Sequence, residues 1–590
     1  MIPSEKLCTV LPGSAVARDR NSFWVQYALA CETQSIRTGE NMTLYANDHF
    51  AIPEETARVA KATFPKGNVY MTMRDELTLW YKDSAYAHLF PSHQGRPAES
   101  PGMLNLIMVM QYAEGLSDQQ TAEAVRSRID WKYALGLALT DPGFHYSILS
   151  TYRERLLAGG AEQQFFEEML THFRARGLLR ARGQQRTDST HVLAAIRDLN
   201  RLECIGETLR YALNCLAVVL PAWLSAQVTP DWFELYGTRF EQYRLPQELV
   251  ERQELAERMG RDGQHLLAAL DDPATPGYLR EIPAIQTLRR VWEQQFLTAD
   301  DKVCLRTGDH LPRSAELITS PYDDEARFSQ KRQTKWVGYK VHLTETCEET
   351  LPHLVTNVET TPATTPDNAM TATIHQHLDE KGLLPQEHLV DTGYTSAKDL
   401  VSSQAEHGVE LLGPVQEAHT WQDKADQGFQ TACFQINWQA QQVICPQGKT
   451  SVLWRPGQNK HGGACISVRF AHRDCLDCAV RSQCTHSPGP RTLTLLPQAQ
   501  HVALQQARAY QKTEAFRQRY RKRAGVEGTI SQGTRAFDLR RTRYIGLAKT
   551  HLQHLFTAAA INLTRVVFWL QGIEMTQTRR SSFAAIAPAA

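Results

Sequence analysis

The stretch Lys335-Trp336-Val337-Gly338-Tyr339-Lys340-Val341-His342-Leu343 alternates in side-chain character along its length, the period of a β-strand with one face against a core. After a polar turn, His353-Leu354-Val355-Thr356-Asn357-Val358-Glu359 repeats the signature, so the two predict a hairpin. Downstream, Asp367 to Leu378 reads as a helix, His388-Leu389-Val390 as a short buried strand ending at Asp391, and Val409-Glu410-Leu411-Leu412-Gly413 as a further strand. Upstream, Arg182 to Thr187 is polar and extended, and Asp188-Ser189-Thr190-His191 leads into Val192-Leu193-Ala194-Ala195-Ile196, a strand end carrying one acid. Strands and helices in this order predict an α/β fold, a mixed sheet covered by helices.

The chain has 590 residues, more than one compact core holds, since domains run to roughly 100–200 residues. The reading divides it into a helical N-terminal domain over 1–180, the first part of the sheet core over 181–199, and a helical insertion over 200–318 that is rich in Leu, Glu, Gln, Arg and Ala. The core resumes over 319–416, a region rich in Trp, Cys and Gly fills 417–504, helices occupy 505–572, and a small, Ala-Pro-rich tail over 573–590 is expected to be disordered. In the helical part, one helix is expected from Val502 to about Val526 and another from Arg543 to Trp569, with Ile545, Ala548, Leu552, Leu555 and Phe556 on one stripe. The run Asp323-Asp324-Glu325 is read as surface, because adjacent residues on a turn cannot all point at one metal pair.

Lys plus Arg and Asp plus Glu both number 64, so no global charge announces a polyanion partner, and any nucleic-acid affinity comes from local patches. The start, Met1 to Arg20, lacks the layout of a signal peptide, and no apolar stretch is long enough to span a bilayer. A soluble, cytoplasmic protein with no membrane partner is expected. Between Met103 and Leu157, short helices are separated by cap signals: Ser117 and Gln120 have capping-box spacing, and Asp130 is placed to cap the next helix. Arg126, Arg128 and Lys132 lie close together there, with Arg96 just before in Gly95-Arg96-Pro97. They are candidate phosphate contacts, although a helical bundle with solvated basic residues reads the same way.

Three acids stand out. Asp188 near a strand start and Asp391 at a buried strand's end suit metal-assisted phosphoryl chemistry, which needs carboxylates on neighbouring rigid elements. Tyr520, Arg523 and Glu527 fall at offsets of zero, three and seven, which places them on one face of a helix. From Arg517 to Lys549 there are ten Lys or Arg against two acids, Glu527 and Asp538. Taken singly, an Asp at a strand end more often caps a turn, and a Glu in a basic helix is often a salt-bridge partner.

These stretches resemble bacterial insertion-sequence transposases of the DDE superfamily over nearly the whole chain. Thr187-Asp188-Ser189-Thr190-His191-Val192-Leu193 looks like the first-aspartate motif, Leu389-Val390-Asp391-Thr392-Gly393-Tyr394 like the second, and Tyr520, Arg523 and Glu527 reproduce the Tyr-x2-Arg-x3-Glu signature. The Lys that normally ends this signature is replaced by Thr534, with Arg535 next door. Gly95-Arg96-Pro97 through Leu156 looks like the family's N-terminal helical domain, and Arg540 to His551 like its C-terminal block. The resemblance implies an RNase H-like core in which Asp188, Asp391 and Glu527 hold Mg²⁺ or Mn²⁺. It also implies double-stranded DNA partners, the transposon's terminal inverted repeats and a target, engaged by a homodimer. Tyr520, Arg523 and Arg535 would contact DNA, and Trp421, Trp438 and Trp454 are candidates for holding a flipped base at a hairpin end. Two other readings remain open at this point: a related nuclease without strand transfer, and a catalytically inactive DNA-binding repressor.

Six of the twelve cysteines crowd into one region. Cys475-Leu476-Asp477-Cys478 is a C-x2-C pair, Cys484 follows, and Cys445 precedes Pro446-Gln447-Gly448. These four are candidate thiolate ligands for structural Zn²⁺, with Cys433, Cys465 and His472 as replacements, and reduced buried cysteines as the alternative.

Overall fold

The computed structural model describes residues 42–77, 80–91, 95–299, 302–417, 421–422, 428–460 and 462–573. The readings of Met1 to Arg20 and of the tail beyond Ile573 therefore lie outside the described residues. The chain divides into two compact units, the larger comprising Ala46–Tyr86, Ser100–Asp198 and Arg313 onward.

The larger unit is mixed α/β. Its early helices include α1 (Pro101–Glu114), α2 (Asp118–Ser127) and α3 (Ile129–Leu135). The Ser117 and Gln120 capping box forms as the sequence indicates. Asp130, however, lies inside α3 and accepts from Arg128 and Asn68 instead of capping. The central sheet contains β1 (Gln184–Leu193), β2 (Arg327–Lys331), β3 (Thr334–Thr346), β4 (Val355–Pro362), β5 (Glu387–Leu389) and β6 (Glu410–Leu412), in the order β6-β5-β1-β3-β2, with β4 also paired to β3. The hairpin read from the sequence is β3 and β4, paired antiparallel from Tyr339↔Pro362 to Glu345↔Val355. Strands β1 and β3 are antiparallel, whereas β5 runs parallel to both β1 and β6.

Strand β3 changes partner along one edge, from β2 up to Gly338 to β4 beyond it. Gly338 has φ +148°, and a Cβ there would lie 2.3 Å from the Val192 carbonyl oxygen, so the crossing point accepts only glycine. Helices α4 (Thr371–Glu380) and α5 (Ala397–His407) follow β4 and β5. The late helices are α6 (Gln498–Tyr510), α7 (Glu514–Tyr520), α8 (Gly525–Ala536) and α9 (Leu547–Leu570). Helix α9 packs against both β4 and α1 and is buried on nearly all sides from Leu552 to Val567. Its Asn562 side chain donates to the Val355 carbonyl (2.8 Å) and accepts from the Val355 amide (2.7 Å), completing the open edge of β4 where a strand would otherwise pair.

Three local expectations are corrected. The helix expected from Val502 to Val526 breaks after Tyr510, because Thr513 caps a new helix through the Phe516 amide. Asp188 lies in the middle of β1 and not at its end, since the strand continues through apolar Val192. Asp323-Asp324-Glu325 is not simply surface: Asp323 is buried and accepts the Tyr339 hydroxyl at 2.7 Å, while Glu325 accepts the first amide of α9 from Leu547 at 2.7 Å, satisfying a helix N-terminus with negative charge.

In the smaller unit, helices Arg201–Val219, Leu249–Asp271 and Pro283–Gln295 pack around Leu209, Leu266, Leu288 and Trp292. Arg96 is exposed in a two-residue strand paired with Met42–Thr43. Among the described residues, no helix is long and apolar enough to cross a membrane.

Burial in the larger unit depresses several histidines: His342, His375 and His551 to about 4, and His554 to about 3. The unfolded chain binds more protons at these histidines than the folded one below about pH 6.5, so stability is lost as pH is lowered, by up to ~1.4 kcal/mol per unit for each histidine. Urea unfolding is expected to show a midpoint dropping already between pH 6.5 and 5.5, above the ordinary carboxylate range. A flat or rising midpoint there would contradict this burial.

Candidate active site

Strand geometry assembles the first two acids. The parallel register of β1 with β5 pairs Gln184 with Glu387 and Arg186 with Leu389, and continued two residues further it sets Asp188 beside Asp391. Alternation along β1 puts Arg186, Asp188 and Thr190 on one face and Gln185, Thr187 and Ser189 on the other. Asp391 accepts the Gly393 amide at 2.8 Å and so closes the turn into Tyr394. A Cβ on Gly393 would stand 2.9 Å from Asp391 Oδ1 and 3.1 Å from Asp367 Oδ2, so glycine here lets two carboxylates approach one turn.

Glu527 reaches this face by a different route. Tyr520, Arg523 and Glu527 do not share one regular helix, because α7 ends at Tyr520 and a 3₁₀ turn, Arg521–Ala524, precedes α8. Gly525 permits that turn to sit on β1, since a Cβ there would lie 2.0 Å from the Arg186 guanidinium. Arg523 links two acids directly: its Nη2 lies 2.6 Å from Asp188 and its Nη1 2.7 Å from Glu527. Its Nε is buried with no hydrogen-bond partner. Burial lifts the Asp188 carboxyl to about 6 against the pull of Arg523, and neighbouring Asp391 adds to the lift. Burial also pushes the Tyr520 hydroxyl up to about 12, with its ring stacked on Phe516 at 5.2 Å.

Beneath this arrangement lies a buried ion network. Glu345 on β3 is fully buried opposite Arg186 on β1, with the two charges 2.6 Å apart. Its other oxygen pairs with Arg565 of α9 at 2.8 Å and accepts the Thr529 hydroxyl of α8 at 2.5 Å. Arg565 donates to that same hydroxyl at 2.7 Å, and Arg186 donates to the Lys522 carbonyl at 2.6 Å. Burial favours the neutral acid, yet Arg565 and Arg186 prevail and hold Glu345 below the usual carboxylate range. The network joins two strands and two helices within two residues of Asp188.

Sequence reasoning missed Glu345, Arg186, Thr529 and Arg565, and it missed Asp367, which accepts from Lys340 at 3.1 Å and Ser189 at 3.2 Å. A charged residue in a polar strand end gives no periodic signal. Among the described residues, no three His, Cys, Asp or Glu side chains stand close enough to hold a metal ion as they are placed.

The remaining candidates are more dispersed. Arg535 is exposed on α8, while Thr534 turns its hydroxyl back to the Ile530 carbonyl at 2.8 Å. Arg126 is exposed and pairs with Glu123, and Arg128 is held by Glu114 and Asp130. Lys132 is buried and donates to the Ala138 and Asp141 carbonyls, so its charge serves the fold and does not face a phosphate as expected. Trp438 packs edge-on against Trp454 at 5.6 Å over a small apolar core, and Trp421 lies against His486. Cys445, Cys475, Cys478 and Cys484 line one cavity; burial raises the Cys484 thiol.

Two family models match the chain: one described as Transposase DDE domain, over residues 444–567, and one described as Transposase domain (DUF772), over residues 58–155. The two matches indicate an insertion-sequence transposase of the DDE type. Transposase families point in general to DNA transposition, with DNA as the substrate. The first match covers Glu527, the four cysteines of the cavity and α9 as far as Val567, and the second covers α1 to α3. No curated protein matches the transposase.

Glu345→Gln in this transposase would leave two buried guanidinium groups without their shared counter-charge, a loss of roughly 3–5 kcal/mol. Equilibrium urea unfolding checks it, and a loss below ~1 kcal/mol would mean that the network does not hold these elements together.

Proposed function

We propose that the protein is an active DNA transposase that cuts at the terminal inverted repeats of its element and transfers the freed 3′ ends to target DNA, with Asp188, Asp391 and Glu527 as its catalytic acids. The observation that carries this reading is the bridge from Asp188 through Arg523 to Glu527, set where the strand register brings Asp391 alongside. An RNase H-like core is supported by the antiparallel β4-β3-β1 run followed by parallel β5 and β6. The donor set suits a hard divalent cation, because carboxylate oxygens are the ligands Mg²⁺ and Mn²⁺ take. When bound, such ions supply an activated nucleophile and charge neutralisation at the leaving oxygen.

The protein's own groups position DNA. Arg523 already lies between two acids with an unpartnered Nε–H, and a guanidinium suits paired bonds to phosphate oxygens. Arg521, Arg535 and Arg541 are exposed in the same segment and extend the positive surface that backbone contact requires. The helical region before residue 180 supplies further end binding. Two copies acting in the cytoplasm would hold the paired ends of one element.

Asp391→Asn and Glu527→Gln are expected to bind terminal-repeat DNA within about twofold of wild type while nicking at least ~100-fold more slowly, the scale of losing a group that acts on the transition state. Gel-shift titration alongside a nicking assay in Mg²⁺ reads both quantities. Joint loss of binding and cutting would give those acids a structural role. Binding without cutting by wild type would favour the repressor reading, and nicking without joining would favour a nuclease.

A further inference from the structure

The cysteine-rich region stands apart from the acids and carries its own chemistry. Among the described residues its fully buried apolar core is small, Phe434, Val443, Val468, Phe470, Leu493 and Leu495, with partly buried side chains such as Ile436, Trp438 and Trp454 packed against it, beneath short strands such as Leu453–Gln458, Ala464–Arg469 and Thr492–Leu495. So thin a core is ordinarily supplemented by a covalent or metal cross-link. Its cysteines are free thiols, so no disulfide supplies that link among the described residues.

Cys445 from a loop, Cys475 and Cys478 from a short helix and the residues just past it, and Cys484 from the end of the next short helix line one cavity of about 30 Å³. Cys445 sits in a tight loop: the Gly448 amide donates to its carbonyl at 2.8 Å, the Lys449 amide points at its Sγ at 3.4 Å, and Gly448 takes φ +74°. An amide aimed at sulfur stabilises a thiolate, as partners of metal ligands generally do. Arg481 donates to the Cys475 carbonyl at 3.1 Å and Arg491 to the Cys484 carbonyl at 2.8 Å, which fixes two more ligand backbones and brings positive charge close to the thiols. The alternatives drop out, since Cys433 is exposed and neither Cys465 nor His472 lines this cavity. The thiols surround the cavity without converging to ligand spacing, and rotation about χ1 of each cysteine is the movement that closes them.

We propose that Cys445, Cys475, Cys478 and Cys484 form a tetrahedral structural Zn²⁺ site that holds this region together. Each sulfur releases its proton to solvent as it binds, no electron is transferred, and four thiolates leave no open position for substrate.

The test is metal analysis of the full-length protein purified under reducing conditions and reconstituted with Zn²⁺, followed by Co²⁺ substitution. One zinc per chain is expected, together with the intense absorption of tetrahedral Co²⁺ bound to four thiolates. The double variant Cys475→Ser/Cys478→Ser is expected to lose the zinc, and Cys433→Ser to keep it. Absence of stoichiometric zinc after reconstitution, iron in its place, or an octahedral Co²⁺ spectrum would overturn the proposal. The Co²⁺ spectrum needs no variant, so misfolding of the double variant does not blunt the test.

Discussion

Glu345 is a charge with no exposure, and a buried carboxylate persists only where partners replace the water it has lost. Its partners come from three places far apart in sequence: Arg186 on the first core strand, Thr529 on the helix of Glu527, and Arg565 on the long C-terminal helix. Satisfying one carboxylate therefore fixes the positions of four elements at once. Arg186 precedes Asp188 by two residues on the same face of β1, and Thr529 follows Glu527 by two residues on α8. The network that stabilises the core also determines how the strand acid and the helix acid face one another.

Above it, Arg523 repeats the arrangement nearer the surface, one guanidinium between Asp188 and Glu527. The two layers differ in what they leave unsatisfied. Glu345 has both oxygens engaged, whereas Arg523 keeps an unpartnered Nε–H and Glu527 is exposed. A saturated layer suits rigidity, and an unsaturated one suits exchange of partners when a polyanion arrives.

Much of the sheet was legible because hydrophobic alternation survives wherever one face is buried. The β3 and β4 hairpin and the short strand leading to Asp391 both follow from it, and the Ser117 capping box follows from spacing alone. Legibility failed where polar residues go inward. Thr344, Glu345 and Thr346 are buried, extending β3 past the Leu343 at which the apolar pattern ends. Asp323 and Glu325 looked like surface because their roles, taking the Tyr339 hydroxyl and the α9 amides, depend on residues distant in sequence. Lys132 illustrates the converse error, a basic residue whose charge is consumed by nearby carbonyls. The even helical spacing of Tyr520, Arg523 and Glu527 likewise concealed a 3₁₀ turn. Local pattern singles out candidate acids, and only tertiary structure tells which charges are committed to the fold.

The central claim is that the carboxylate of Asp188 contacts a metal ion directly during strand cleavage. Replacing it with cysteine keeps a ligand but makes it soft, disfavouring Mg²⁺ more than Mn²⁺. The account predicts that Asp188→Cys binds terminal-repeat DNA, fails to nick it in Mg²⁺, and regains nicking in Mn²⁺. Nicking by Asp188→Cys in Mg²⁺ at the wild-type rate would contradict it.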